Sequence, residues 1–358
     1  MSFTLSVTTE NLASLDKADM GGAIAAMGKH LLDAAARSKK ALDAFTLPQK
    51  SEIKNIVVAG LGGSAIGGDL VRSYLLSKLS VPFSINRTYD LPGFVDEHTL
   101  VIASSYSGST EESLSMFEEA SKRNAKIICI TTGGKLAGLA AEHVLPIITL
   151  PTGFQPRAAL AYSFVPVLLI LEKLGFTSGE EANISDAANM LEQLEKQYGT
   201  SQLNESNTAN ALAQSLLSKI PVVYSPSDHF DTVNIRWRGQ IQENGKHVAF
   251  GNVLPEMNHN EINGWDFPSA TQDRFQVLFL RSEQDEHPQV TKRFGILHDV
   301  LTSKGVEVQE FSAQGNSLLA RMFSLIALGD WTSYYLALLA GVDPSPVPVI
   351  MQLKSKLA

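Results

Sequence analysis

Six hydroxyl side chains fall within seven residues, Ser104, Ser105, Tyr106, Ser107, Ser109 and Thr110, with only Gly108 among them and no Lys or Arg in the run. The run follows Leu100-Val101-Ile102-Ala103 and leads into Glu111-Glu112, so the pattern predicts a buried strand turning into the start of a helix. Helix starts present backbone N–H groups that lack partners inside the helix, and their dipole favours negative charge. Hydroxyls gathered there without a cation suit a phosphate held by neutral donors. Ser107-Gly108-Ser109-Thr110-Glu111-Glu112 also makes an ordinary helix cap, but a cap needs one hydroxyl rather than this many. A second turn upstream, Leu61-Gly62-Gly63-Ser64-Ala65-Ile66-Gly67-Gly68-Asp69, follows Ile56-Val57-Val58-Ala59 in the same way. Its Gly60-Leu61-Gly62-Gly63-Ser64-Ala65 also fits the G-x-G-x-x-A dinucleotide fingerprint. Against that, the next strand, 83–86, ends without the acidic residue that a ribose calls for. The two turns together point to a phosphorylated small molecule.

Groups able to move protons are sparser. Glu243 ends a helical stretch beside Asn244-Gly245, where a carboxylate in a partly desolvated cleft can serve two adjacent carbons; composition alone reads it as an exposed helix-end residue. His259 lies in the polar, non-periodic Met257-Asn258-His259-Asn260-Glu261, which suits either acid–base work near neutrality or a solvated loop histidine. Arg157 follows Pro156 and precedes an apolar helix, so it is either a guanidinium for an oxyanion or an exposed helix-start charge. His229 and His247 remain unassigned alternatives to His259. Asp228-His229, and His259 with Glu256 and Glu261, follow no common ligand spacing, so no metal and no other cofactor is expected. Cys129, within Ile127-Ile128-Cys129-Ile130, is the only cysteine and reads as a buried strand residue rather than a nucleophile. Its solitude excludes an internal disulfide and fits a reducing compartment.

Two rounds of strand and helix alternation must hold these groups. Apolar runs at 56–59, 83–86, 101–104, 126–131 and 147–150 alternate with helical patterns at 67–78 and 110–123, and a helix over 159–174 closes the unit, which predicts a mostly parallel sheet. Residues 19–45 read as amphipathic helix, with Ile24, Met27, Leu31, Leu32, Ala35 and Leu42 on the covered face. A polar helical linker spans 176–207, between Thr177-Ser178-Gly179-Glu180-Glu181 and Asn204-Glu205-Ser206-Asn207. The second round has strands at 220–225, 276–280 and 307–311 and helices at 230–243, 289–304 and 317–340. Its first turn, Pro226-Ser227-Asp228-His229, lacks the glycines, so an internal duplication with one phosphate site retained is the simplest account. The last helix, with Trp331, Tyr334, Tyr335, Leu338 and Leu339, reads as core or dimer interface.

The chain has 358 residues, 44% of them hydrophobic and 18% charged, with a mean hydropathy of +0.02, which gives two domains ample apolar material for their cores. A formal net charge of −8 and a pI near 5.5 oppose nucleic acid and acidic membranes, and the lone Arg236-Trp237-Arg238 triplet does not reverse that. Met1-Ser2-Phe3-Thr4-Leu5-Ser6 lacks the marks of a signal peptide and no apolar run reaches membrane-spanning length, so a cytoplasmic location is expected.

The motifs in order carry a resemblance. Gly62-Gly63-Ser64 with Gly67-Gly68-Asp69, then Ser105-Tyr106-Ser107-Gly108-Ser109-Thr110-Glu111-Glu112, resembles the sugar isomerase (SIS) domain. With Gln155-Pro156-Arg157-Ala158-Ala159, Gln242-Glu243-Asn244-Gly245-Lys246, Glu256-Met257-Asn258-His259-Asn260-Glu261 and Gln352-Leu353-Lys354, the chain from about 45 to 357 resembles the bifunctional phosphoglucose/phosphomannose isomerases. The resemblance implies an α/β fold of two SIS-type domains, each a mostly parallel sheet flanked by helices in three layers. The expected division is an N-terminal helical segment at 1–45, SIS domains at 46–175 and 208–341 joined by the 176–207 linker, and a C-terminal segment at 342–358 reaching the active site. It implies aldose–ketose isomerisation of glucose 6-phosphate and fructose 6-phosphate, and of mannose 6-phosphate, through a cis-enediolate and without a metal. Gly63, Ser64, Ser105, Ser107 and Thr110 then bind the phosphorylated hexose, Glu243 is the proton-shuttling base, and Arg157 steadies the enediolate. His259 works at the ring oxygen in the neighbouring subunit of a homodimer with shared sites. Lys354 is the active-site lysine, with Lys356 its near competitor. The alternatives are a phosphosugar-sensing regulator, which would bring a DNA-binding segment not seen in the sequence, and a glucosamine 6-phosphate synthase-like enzyme, which would bring an amidotransferase half.

Overall fold

The computed structural model describes residues 7, 9–203, 206–268 and 270–357; Asn204 and Glu205 of the expected linker, and residues 1–6, lie outside the described residues. Two compact units emerge, one of residues 27–189 and one combining 1–26 with 190–358. The expected N-terminal segment therefore divides: α1 (Thr9–Leu15) and α2 (Met20–Ala25) belong to the second unit, and α3 (Met27–Leu42) to the first.

In the first unit, β1 (Asn55–Ala59), α4 (Gly63–Tyr74), β2 (Phe83–Asn86), β3 (Thr99–Ser105), α5 (Glu111–Lys122), β4 (Lys126–Thr131), α6 (Gly134–Glu142), β5 (Ile147–Thr149) and α7 (Leu160–Lys173) follow in order. The five strands are parallel in the order β2-β1-β3-β4-β5. Every residue of β3 is buried, as a strand covered on both faces requires. Val57, Val101, Ile127 and Cys129 pack with Phe117 of α5 and Leu136 of α6 on one face. Burial pushes the Cys129 thiol up to about 12, which suits a core residue and not a nucleophile. On α3 the buried stripe runs Met27, Leu31, Ala34, Ser38, Leu42, and Leu32, expected on it, is 48% exposed because it stands one step round the helix.

Helix α4 begins four residues before the expected start, so Gly63 and Ser64 sit in its first turn rather than in a loop. Its glycines read as loop in sequence but serve packing: a Cβ on Gly67 would lie 2.3 Å from the Ser163 carbonyl carbon of α7. Helix α6 escaped the sequence pattern for a similar reason, since Gly134 and Gly138 dilute a face of only Leu136 and Ala140.

Helix α8 (Glu180–Tyr198) carries the chain into the second unit. There α9 (Thr208–Leu216), β6 (Ile220–Pro226), α10 (Asp231–Glu243), β7 (Phe250–Leu254), β8 (Phe275–Arg281), α11 (Pro288–Ser303), β9 (Glu307–Ser312), α12 (Leu318–Leu339) and α13 (Pro348–Leu357) follow. The strands are again parallel, in the order β7-β6-β8-β9, which repeats the first four positions of the other sheet. Strand β7 had no strand signal because Phe250-Gly251-Asn252-Val253 forms a half-exposed edge that needs no apolar run. Against the sequence expectation, α12 is long and apolar enough to cross a membrane, but its apolar window is wholly buried inside the unit. Trp331, Tyr334 and Tyr335 pack on one another within it, as core.

Candidate active site

In an open parallel sheet, ligands collect where the strand order reverses, off the carboxyl ends of the strands. In the first unit that point lies between β1 and β3, where both hydroxyl-bearing turns begin. Ser105, buried at the end of β3, donates its hydroxyl to Thr110 Oγ1 at 3.1 Å and accepts the Gly108 N–H at 3.1 Å. Thr110 occupies the N-cap position of α5, yet its side chain makes no capping hydrogen bond. The cluster is therefore not spent on an ordinary cap. Ser107 is exposed and accepts the Ser109 N–H at 3.3 Å. Gly108 makes the bend at a φ of +66°, and a Cβ there would lie 1.8 Å from the Gly133 oxygen, so no other residue fits.

The two turns are tied together. Ser64, 8% exposed in the first turn of α4, accepts the Tyr106 N–H at 3.0 Å, and Ser104 donates to the Ser64 carbonyl at 3.4 Å. Tyr106 also donates its phenol to Pro151 O at 2.9 Å and accepts the Phe154 N–H at 3.0 Å. This clamp role was not legible in the hydroxyl count; only the position of Tyr106 inside the run signalled it. The start of α4 also packs on the 3-10 turn Pro156–Ala159, since a Cβ on Gly63 would lie 2.6 Å from Pro156 O. Arg157 rides on that turn and is 5% exposed, which removes the exposed helix-start reading. Gly63, Ser64, Ser105 and Thr110 thus belong to two linked turns rich in neutral donors, and the turn that carries Arg157 packs against Gly63.

In the second unit, Glu243 is the last residue of α10, half-buried, and lines a hollow of about 560 Å³ with Gln242, Lys246, His247 and the 347–350 segment entering α13. His259 is exposed at the end of the 3-10 turn Glu256–His259, anchored by the buried Met257, and does not line this hollow. Lys354 and Lys356 are both exposed in the last turn of α13. Glu261 is committed elsewhere: it accepts from the Tyr224 hydroxyl and from Asn252 Nδ2 at 2.8 Å. Burial and that carboxylate together drive the Tyr224 phenol well above its ordinary range. Among the described residues no three His, Cys, Asp or Glu side chains converge as metal ligands.

Known proteins resemble the chain over most of its length. Residues 51–174 match the SIS domain, and residues 205–357 match the bacterial phospho-glucose isomerase C-terminal SIS domain. A bifunctional phosphoglucose/phosphomannose isomerase of Caldicellulosiruptor bescii is 45% identical over 307 residues, 86% of this chain and 90% of that one. The chain belongs to the bifunctional phosphoglucose/phosphomannose isomerase family. The family member of Aquifex aeolicus is 40% identical over 310 residues, 85% of this chain and 90% of that one. The fold is shared more widely: a solved hypothetical protein from Thermus thermophilus superposes with a TM-score of 0.73 at 15% identity, covering 98% of this chain and 93% of that one. In this isomerase, among the described residues, the second sheet's own reversal point is lined by paired charges rather than by a run of hydroxyls. There Arg281 holds Glu286 at 2.8 Å, and Arg321 grips both oxygens of Asp285 at 2.6 and 2.7 Å. Paired charges occupy the turn after β8 where the first unit keeps its serines.

Proposed function

We propose that this isomerase interconverts glucose 6-phosphate and fructose 6-phosphate, and mannose 6-phosphate with the same ketose, in a homodimer with shared sites. The observation that supports it is the cradle of Ser105, Thr110 and Ser64 at the helix starts, with the turn of the buried Arg157 packed against Gly63. Such a cradle suits a phosphate dianion without trapping it in a strong ion pair. His259 of the neighbouring subunit transfers a proton to the ring oxygen as the C1–O5 bond breaks and the O1 hydroxyl gives up its proton to water, leaving the C1=O1 aldehyde. Glu243 then takes the proton from C2; the electron pair forms the C1=C2 double bond, and charge passes to O1, where the Arg157 guanidinium meets it. The same carboxylate returns its proton to C1 while the O2 proton passes to O1 and C2=O forms, leaving a C1 hydroxyl. Delivery to either face of C2 in the reverse direction yields glucose or mannose, so one intermediate serves both. Lys354 adds positive charge at the sugar. The step is redox-neutral overall and is balanced by proton shuttling alone.

A coupled assay with fructose 6-phosphate, reading glucose and mannose 6-phosphates separately, tests this. Glu243→Gln is expected to lower turnover by roughly 10²- to 10⁴-fold with sugar phosphate binding retained, and EDTA to leave the wild type unaffected. Full turnover in the variant rejects the base, and strict metal dependence rejects the mechanism. Binding without product supports a sensor instead.

A further inference from the structure

Glu243 stands where a helix least welcomes a carboxylate. The C-terminal carbonyls of a helix carry partial negative charge, and a cation is expected there, yet the last turn of α10 holds no basic residue. Lys246 supplies the charge from outside the helix. Its backbone takes a φ of +52°, a left-handed conformation that costs a side-chain-bearing residue, and its side chain folds back over the helix end. Nζ donates to Glu243 O at 2.7 Å, to Asn244 O at 3.2 Å and to Pro344 O at 3.0 Å. Three carbonyl oxygens thus lie within hydrogen-bond reach of an ammonium that has three hydrogens to donate, so this lysine is placed to hold these segments. Two of the carbonyls end the helix that carries Glu243, and the third lies on the segment that leads into α13, the helix of Lys354. Both segments line the hollow onto which Glu243 faces.

Building on the assignment of Glu243 as the base, we propose that Lys246 is a positioning residue, a tie that holds the end of α10 and the approach to α13 together so that Glu243 and the C-terminal helix keep a fixed relation. The left-handed backbone makes a clean test available. Lys246→Gly removes the ammonium and relieves the backbone at once, and Lys246→Asn, which also tolerates that conformation, is the second variant. Both are expected to melt close to the wild type. Hydrogen exchange of residues 348–357 should rise about tenfold while the rest of the molecule is unchanged. Turnover of fructose 6-phosphate should fall about 10- to 100-fold with KM altered less than about threefold, because misplacing a base slows the chemistry more than it loosens the phosphate. Lys246→Arg should restore most of both. Unchanged exchange at 348–357 with unchanged turnover overturns the proposal, as does a loss of turnover accompanied by faster exchange throughout the molecule. If the wild type shows no isomerase turnover, the exchange measurement still decides whether Lys246 ties α13, and it is the proposed function that fails.

Discussion

Each hydroxyl of the cradle has a distinct place, so each substitution has a distinct outcome. Ser105 and Thr110 bond to each other, and in the proposed function each gives the phosphate a hydrogen bond. Ser105→Ala and Thr110→Val are each expected to raise KM about 5- to 15-fold, the equivalent of one hydrogen bond, with turnover within about threefold of the wild type in steady-state assays. Gly108→Ala should do worse than either, since its Cβ would collide with the Gly133 oxygen and its φ is positive. A loss of about 2 kcal/mol or more in urea unfolding is expected, and a smaller loss would mean the bend can be rebuilt. The hydroxyls were legible in the chain because six of them in a helix-start context exceed what a cap needs. The burial of Arg157 was not, because a guanidinium after a proline looks the same in sequence whether or not another helix covers it.

At the level of elements, α10 and α12 are joined by a buried pair: Arg236 donates to both oxygens of Asp330, at 3.0 and 2.6 Å, and both side chains are almost wholly enclosed. Trp237 next to it donates its indole N–H to Leu325 O at 2.8 Å. Removing one partner leaves a charge without water or a counter-ion. Arg236→Met alone is expected to cost about 3–5 kcal/mol in urea unfolding, and the double change with Asp330→Leu to recover most of it; equal losses in the single and double variants would mean that packing, not charge, decides. The structural use of Arg236 in the Arg236-Trp237-Arg238 triplet was hidden in the sequence because its partner lies on an element 94 residues away. Helix α12 shows the same limit: its length and apolarity match a membrane span, and burial in the unit gives those properties a different meaning.

At the level of the whole molecule, the Asp285–Arg321 pair of the second unit makes stability depend on acid. Burial works to raise the Asp285 carboxyl, but the Arg321 hydrogen bonds and Ser282 outweigh it and hold the group below its ordinary 3.8. The folded chain thus binds that proton less tightly than the unfolded chain, so the contribution is complete above 3.8 and is lost as pH falls through the folded value. Urea unfolding between about pH 5 and 2 should show a steeper acid loss for the wild type than for Asp285→Asn; parallel curves would reject the assignment. The proposed shared sites have their own test. Subunits carrying Glu243→Gln, mixed with subunits carrying His259→Ala, should regain about a quarter of wild-type activity, because half the dimers are mixed and each has one intact site. No recovery would place both groups on one chain.

By itself the chain determined its fold class, its strand positions in the first sheet and the family motifs, because buried parallel strands need continuous apolar runs and helix starts that bind anions need small and hydroxyl residues. Only the tertiary structure decided that α4 begins at Gly63, that the second reversal point is taken up by Arg281, Arg321 and their carboxylates, and that the ammonium of Lys246 closes the helix of Glu243. Those outcomes depend on which distant groups come within hydrogen-bond reach. Local pattern carries no record of that distance.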